Sequence, residues 1–191
     1  MNARSNKSVI CVIVIVVLTM CSSVTHAQLT EHCTVSILNR TARVKANGSW
    51  KIPNVPASFG RVRARATCTE NGITRSGQSS YVTLTPNGTA AFDSDISLTT
   101  PNPIPASLTL AASTATLPTV GATAQLTVTA RFPDGSTRDV TVASAGTSYT
   151  ISNRAVATVS PAGVVTAVSS GTVLVSAMNE GALGLIRLQV A

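Results

Sequence analysis

The sequence predicts an all-β chain: two antiparallel β-sandwiches in tandem, at residues 28–100 and 106–191, behind a signal peptide at residues 1–27. Three observations carry this reading. Short segments alternate apolar and polar residues with period two, Asn-Gly and Asp-Gly pairs punctuate them, and a proline-rich stretch divides them into two groups. The composition agrees. In 191 residues, 44% are apolar but only 3% aromatic, so a core must be built from Val, Ile, Leu and Ala, with Thr and Ser on the wet faces. A charged fraction of 11% and a mean hydropathy of +0.31 exclude a disordered polyelectrolyte.

The first element is a targeting segment. Arg4 and Lys7 precede an apolar run from Val9 to Leu18, and the segment closes on Val24-Thr25-His26-Ala27. A basic start, a short apolar stretch and small residues before a break are the parts of a secretory signal, with cleavage expected after Ala27. The run of about ten apolar residues is half of what a bilayer-spanning helix needs. Cys21 follows Met20, which is bulky where lipoprotein processing needs a small residue, so no lipid tether is expected. The destination is the periplasm or the outside of the cell. With no anchor or sorting tail after the last strand, a soluble or partner-held protein is expected.

Export makes the cysteines informative. Cys33 and Cys68 remain after cleavage, and an even pair in an oxidising compartment favours a disulfide. In the first sandwich, Arg61-Val62-Arg63-Ala64-Arg65-Ala66-Thr67-Cys68 reads as one strand, with Val62, Ala64, Ala66 and Cys68 inward and three arginines outward. Asn71-Gly72 marks a hairpin, Asn47-Gly48 leads into a strand at Ser49–Ile52, and Asn87-Gly88 follows a strand at Tyr81–Leu84. Residues 101–105, Pro-Asn-Pro-Ile-Pro, form a semi-rigid linker that limits reach without fixing orientation.

The second sandwich repeats the pattern. Ser107–Leu110, Ala124–Ala130, Asp139–Val142, Ala157–Val159, Gly163–Ala167, Gly171–Ala177 and Leu185–Val190 give seven short strands, with an Asp134-Gly135 turn and no amphipathic helix. This is the pattern of an immunoglobulin-like sandwich. No cysteine lies beyond Cys68, so burial alone must hold it.

These motifs carry resemblances to known families. Ile151–Ser160, Gly163–Val168 and Gly171–Val173, with Phe132–Ser136 and Asp139–Thr141 upstream, resemble bacterial immunoglobulin-like group 2 domains over residues 106–191. Tyr149-Thr150-Ile151 departs from that pattern, which often carries a tryptophan there. The resemblance implies a cell-surface, adhesive or stalk-like module. Asn47–Pro56 and Arg61–Ala64 are similar to carboxypeptidase-regulatory-like or transthyretin-like sandwiches over about 50 residues. The fold class is therefore two immunoglobulin-like or transthyretin-like sandwiches in tandem.

Reactive groups are sparse, and no enzyme is expected. His32 is the one histidine after residue 27, too few for a zinc site with two disulfide-prone cysteines. Asp93-Ser94-Asp95 offers two calcium ligands where six or more are needed. No catalytic residue, metal or cofactor is assigned. Charge points to the first sandwich, where eight basic side chains meet four acidic ones. Arg61, Arg63 and Arg65, spaced about 7 Å apart on one face, could match a polyanion such as an acidic glycan, lipopolysaccharide or extracellular DNA. The competing expectation is a solvated face that discourages edge pairing. No aromatic residue lies between Phe59 and Tyr81, so no specific nucleic-acid motif is read. Trp50 and Lys51 are candidate contacts for a sugar or partner, against the alternative that a lone tryptophan is core. The expected function is a non-enzymatic surface module that binds protein or glycan or acts as a spacer. Polyanion binding by the first sandwich is the alternative.

Overall fold

Period-two alternation becomes strand pairing throughout the computed structural model, which describes residues 29–92 and 96–191. The signal segment, its cleavage point after Ala27, Cys21 and the acids Asp93 and Asp95 lie outside the described residues.

The first sandwich contributes β1 (Cys33–Ile37), β2 (Arg40–Arg43), β3 (Arg61–Val62), β4 (Arg65–Glu70), β5 (Ile73–Gln78) and β6 (Val82–Thr83). One antiparallel sheet runs β2-β1-β4-β5, and β3 pairs with β6 as a short second sheet. Cys33, Val35 and Ile37 point inward from β1 and meet Ala66 and Cys68 from β4. The Asn71-Gly72 hairpin forms as expected between β4 and β5, both residues with positive φ (50° and 75°). Two residues with positive φ match the right-handed twist of the strands they join. Cys33 and Cys68 face each other in register and are disulfide-bonded, with Cα atoms 4.0 Å apart.

Three expected strands differ. Arg61–Cys68 is two strands, β3 and β4, because the chain changes sheets at Arg63-Ala64. Ser79 holds that crossing: its hydroxyl accepts the Ala64 N–H at 2.9 Å, and its own N–H donates to the Ala64 carbonyl at 2.9 Å. The segment around Ser49–Ile52 carries no strand, and Tyr81–Leu84 shrinks to β6. Pro53, Pro56 and Pro86 remove ladder donors beside both segments.

The second sandwich contributes β7 (Ser107–Ala112), β8 (Thr116–Leu117), β9 (Thr123–Arg131), β10 (Thr137–Asp139), β11 (Ser148–Ile151), β12 (Ala157–Val159), β13 (Val164–Ala167), β14 (Gly171–Asn179) and β15 (Ala182–Val190). In one sheet, β9 is flanked by β7 and by β10 and β13, with β12 beyond β13; the other runs β11-β14-β15-β8. Every second residue of β9 from Ala124 to Ala130 is buried, and the facing sheet answers with Val173, Val175, Leu188 and Val190. Apolar residues without a single tryptophan or disulfide thus form two adjoining core clusters, with Tyr149 packed against both. The Asp139–Val142 strand ends early, at Asp139. Beyond it Val140 is still buried, Thr141 caps the Val128 N–H with its hydroxyl at 2.9 Å, and a single 3₁₀ turn follows at Ala143–Ala145.

Candidate functional site

The largest departure from the sequence expectation is where the arginines go. Residue parity does put Arg61, Arg63 and Arg65 on the side opposite Val62, Ala64 and Ala66, but that side meets the second sandwich. Its partner is the β14–β15 hairpin, which turns through Glu180 and Gly181 at φ 46° and 90°. The first position of such a turn favours Asn, Asp or Gly. A glutamate there breaks the local rule, and its side chain shows why.

The Glu180 carboxylate is only 5% exposed and takes three side chains from the first sandwich. Arg63 Nε pairs with Oε1, Arg65 Nη2 lies 2.5 Å from Oε2, and the Tyr81 hydroxyl donates to Oε1 at 2.8 Å. The Arg63 guanidinium also sits over the Tyr81 ring, 4.7 Å from its centroid. The hairpin is held from its own side as well: buried Asn179 donates from Nδ2 to the Ala145 carbonyl at 2.8 Å and to Thr147 Oγ1 at 3.0 Å. One acid facing two guanidiniums and a phenol is a charge-assisted cluster with both carboxylate oxygens engaged.

The linker joins the same contact. Arg65 Nη1 donates to the Asn102 carbonyl at 2.7 Å, and the Asn102 N–H donates to Gln78 Oε1 at 3.0 Å. The Arg61 backbone N–H donates to Ser148 Oγ at 2.8 Å. Two glycines allow this approach. A Cβ on Gly60 would overlap Ser148, and one on Gly146 would overlap the Tyr81 ring; both have positive φ. Linker reach therefore understates the restraint, since side chains on both sandwiches fix the orientation.

Arg63 and Arg65 are thus 9% and 18% exposed and already paired. They do not form, with Arg61, an open cationic face for a polyanion. Sequence reasoning missed Glu180 and Tyr81 because the contacts between them and with the arginines span about a hundred residues of chain, and Asn179 because its partners lie 34 and 32 residues away. The one available signal was a glutamate before Gly181 in a hairpin.

Burial first, and then the charge and hydrogen bond of Glu180, push the Tyr81 hydroxyl pKa well above its ordinary value. Burial, with Asp139 adding repulsion, pushes Tyr149 up to about 12. Tyr149 donates to the Thr141 carbonyl at 2.7 Å. A raised folded-state pKa on an acid favours the neutral form. The stability it contributes is complete below about pH 10, the unfolded value, and is lost as pH rises through the folded value. The chain has only these two tyrosines. Absorbance at 295 nm should therefore show no phenolate step at pH 10 in the folded protein and a full two-tyrosine step there in denaturant. A native step at pH 10 would contradict the buried geometry.

A second feature of the first sandwich is lined by none of Arg61, Arg63, Arg65 or Tyr81. A cleft of about 1220 Å³ opens between residues 47–57 and 84–92. Trp50 is half-buried on its wall, its ring 5.3 Å from that of Phe92, and Lys51 is exposed beside it. The tryptophan is thus both part of the core edge and a lining residue. Among the described residues, no group of three or more His, Cys, Asp and Glu side chains is placed to hold a metal ion.

Residues 106–182 match the family model of the bacterial Ig-like domain (group 2). The spaced motifs from Phe132 to Val173 anticipate that match. Among solved structures, the S-layer protein rSbsC is similar at 17% identity and a TM-score of 0.39, covering 90% of this chain and 21% of that one. A structure of domains 4 and 5 of S-layer protein SbsC is similar at 17% identity and a TM-score of 0.36, covering 90% and 74%. The chain thus spans about a fifth of the length of the former. No curated protein matches it.

Proposed function

We propose that this protein is a non-enzymatic, extracytoplasmic surface module in which two sandwiches form one rigid binding or spacer unit. The observation that carries the reading is the Glu180 cluster. A carboxylate buried between two domains with three partners resists hinge motion in a way that a proline linker alone does not. A rigid spacer holds whatever it carries at a fixed distance and angle. The group 2 Ig-like match supports a surface setting, and the Cys33–Cys68 bond supports an oxidising compartment. Sparse reactive chemistry supports a structural or binding role: one histidine after residue 27, and both cysteines after that point used in a disulfide. The domains proposed are 28–100 and 106–191, joined by 101–105.

Fractionation of producing cells tests the setting. The mature chain should begin at Gln28, carry one disulfide by intact mass, and be found outside the cytoplasm. Recovery only in the cytoplasm with free thiols would overturn the proposal.

A further inference from the structure

The cleft beside Trp50 is unused by the rigid-unit reading, and its walls are chemically specific. Trp50 and Phe92 give an aromatic corner. Asn54, Asn87 and Thr89 place amide and hydroxyl groups along the rim, and Lys51 is the one charged side chain among the described lining residues. We propose that this cleft binds an acidic oligosaccharide. The apolar face of a sugar ring packs against the indole, amides and hydroxyls pair with its hydroxyls in both donor and acceptor senses, and the ammonium meets a carboxylate.

An extended peptide is the rival occupant, because neither Trp50–Val55 nor Thr89–Phe92 makes a backbone hydrogen bond to another described residue. Strand addition, however, needs a regular row of donors on a wall. Pro53 and Pro56 interrupt one wall and Pro86 the other, and neither segment is a strand. Side-chain recognition of a hydroxyl-rich ligand needs no such row. None of Arg61, Arg63 and Arg65 lines the cleft, so the site does not use the side chains that face Glu180. It stands independently of the rigid-unit proposal.

Trp50 is the only tryptophan and reports on its own site. The probe is a hexamer of galacturonic acid titrated into the mature chain, with cellohexaose as the neutral comparator. The expected result is a saturable change in tryptophan emission with the acidic hexamer, at least about tenfold weaker binding of the neutral one, and a similar loss in Lys51→Gln. Arg75→Gln, which removes an exposed charge on β5, should leave the affinity unchanged. An unresponsive tryptophan, equal binding of the two hexamers, an unaltered Lys51→Gln, or equal losses in the two variants would each overturn the proposal.

Discussion

Glu180→Asn should uncouple the two sandwiches while leaving the second one as stable as before, or more so. Asparagine suits the positive φ of residue 180, where glutamate is the costly choice, so the β14–β15 hairpin gains locally. The shorter neutral side chain, however, gives Arg63, Arg65 and Tyr81 no carboxylate. Removing one member of a buried ion cluster typically costs about 3–5 kcal/mol, because the charges left behind remain desolvated. Here the protein has a way out, since separating the domains rehydrates both guanidiniums. The loss should therefore appear as lost coupling rather than as a misfolded sandwich. Calorimetry should show the first-sandwich transition moving down and away from that of the second, whose midpoint holds or rises. Glu180→Ala should give the same uncoupling without the turn benefit. A single unshifted transition in both variants would mean that the cluster contributes nothing to the coupling.

Reducing the Cys33–Cys68 bond is the second large effect, and it should fall on the first sandwich alone. The bond spans 35 positions and joins the two central strands of the β2-β1-β4-β5 sheet. Chain-entropy arguments put the stabilisation from closing such a loop at roughly 4 kcal/mol. A domain of this size commonly has only a few kcal/mol in total. Its second layer is largely irregular chain, so little else compensates. With a reductant present, Trp50 emission should shift to the red at ambient temperature, reporting unfolding of the first sandwich. The second sandwich, which has no cysteine, should keep its own transition. A Cys33→Ala, Cys68→Ala chain with unchanged Trp50 emission and midpoint would show that the core holds without the bond.

Much of the second sandwich was legible because its signals are local. Alternation marks β9, β13 and β15 within a residue or three of their ends, and Ala157–Val159 is β12 as read. The first sandwich was less so. Alternation from Arg61 to Cys68 is real, yet it cannot reveal that the chain leaves one sheet for another at Ala64. That crossing depends on Ser79, fifteen residues on. β1 went unread although Cys33-Thr34-Val35-Ser36-Ile37 alternates with period two, and β2, Arg40–Arg43, has no apolar face to read. The arginines were read as a distinct face, which they are. What covers that face was not legible, since charge and periodicity say which residues point outward from a strand and nothing about which domain lies there. The Cys33–Cys68 pairing, by contrast, needed only the count of cysteines left after export and is present as read.

In the proposed rigid unit, Glu180 locks the two sandwiches into one orientation. Residual dipolar couplings of the mature chain, measured across both domains, test it most directly. The geometry predicts that one alignment tensor fits residues 29–92 and 106–190 together, and that Glu180→Asn requires two tensors of different magnitude. Two independent tensors already needed for the unaltered chain would show that Glu180 does not fix the domains.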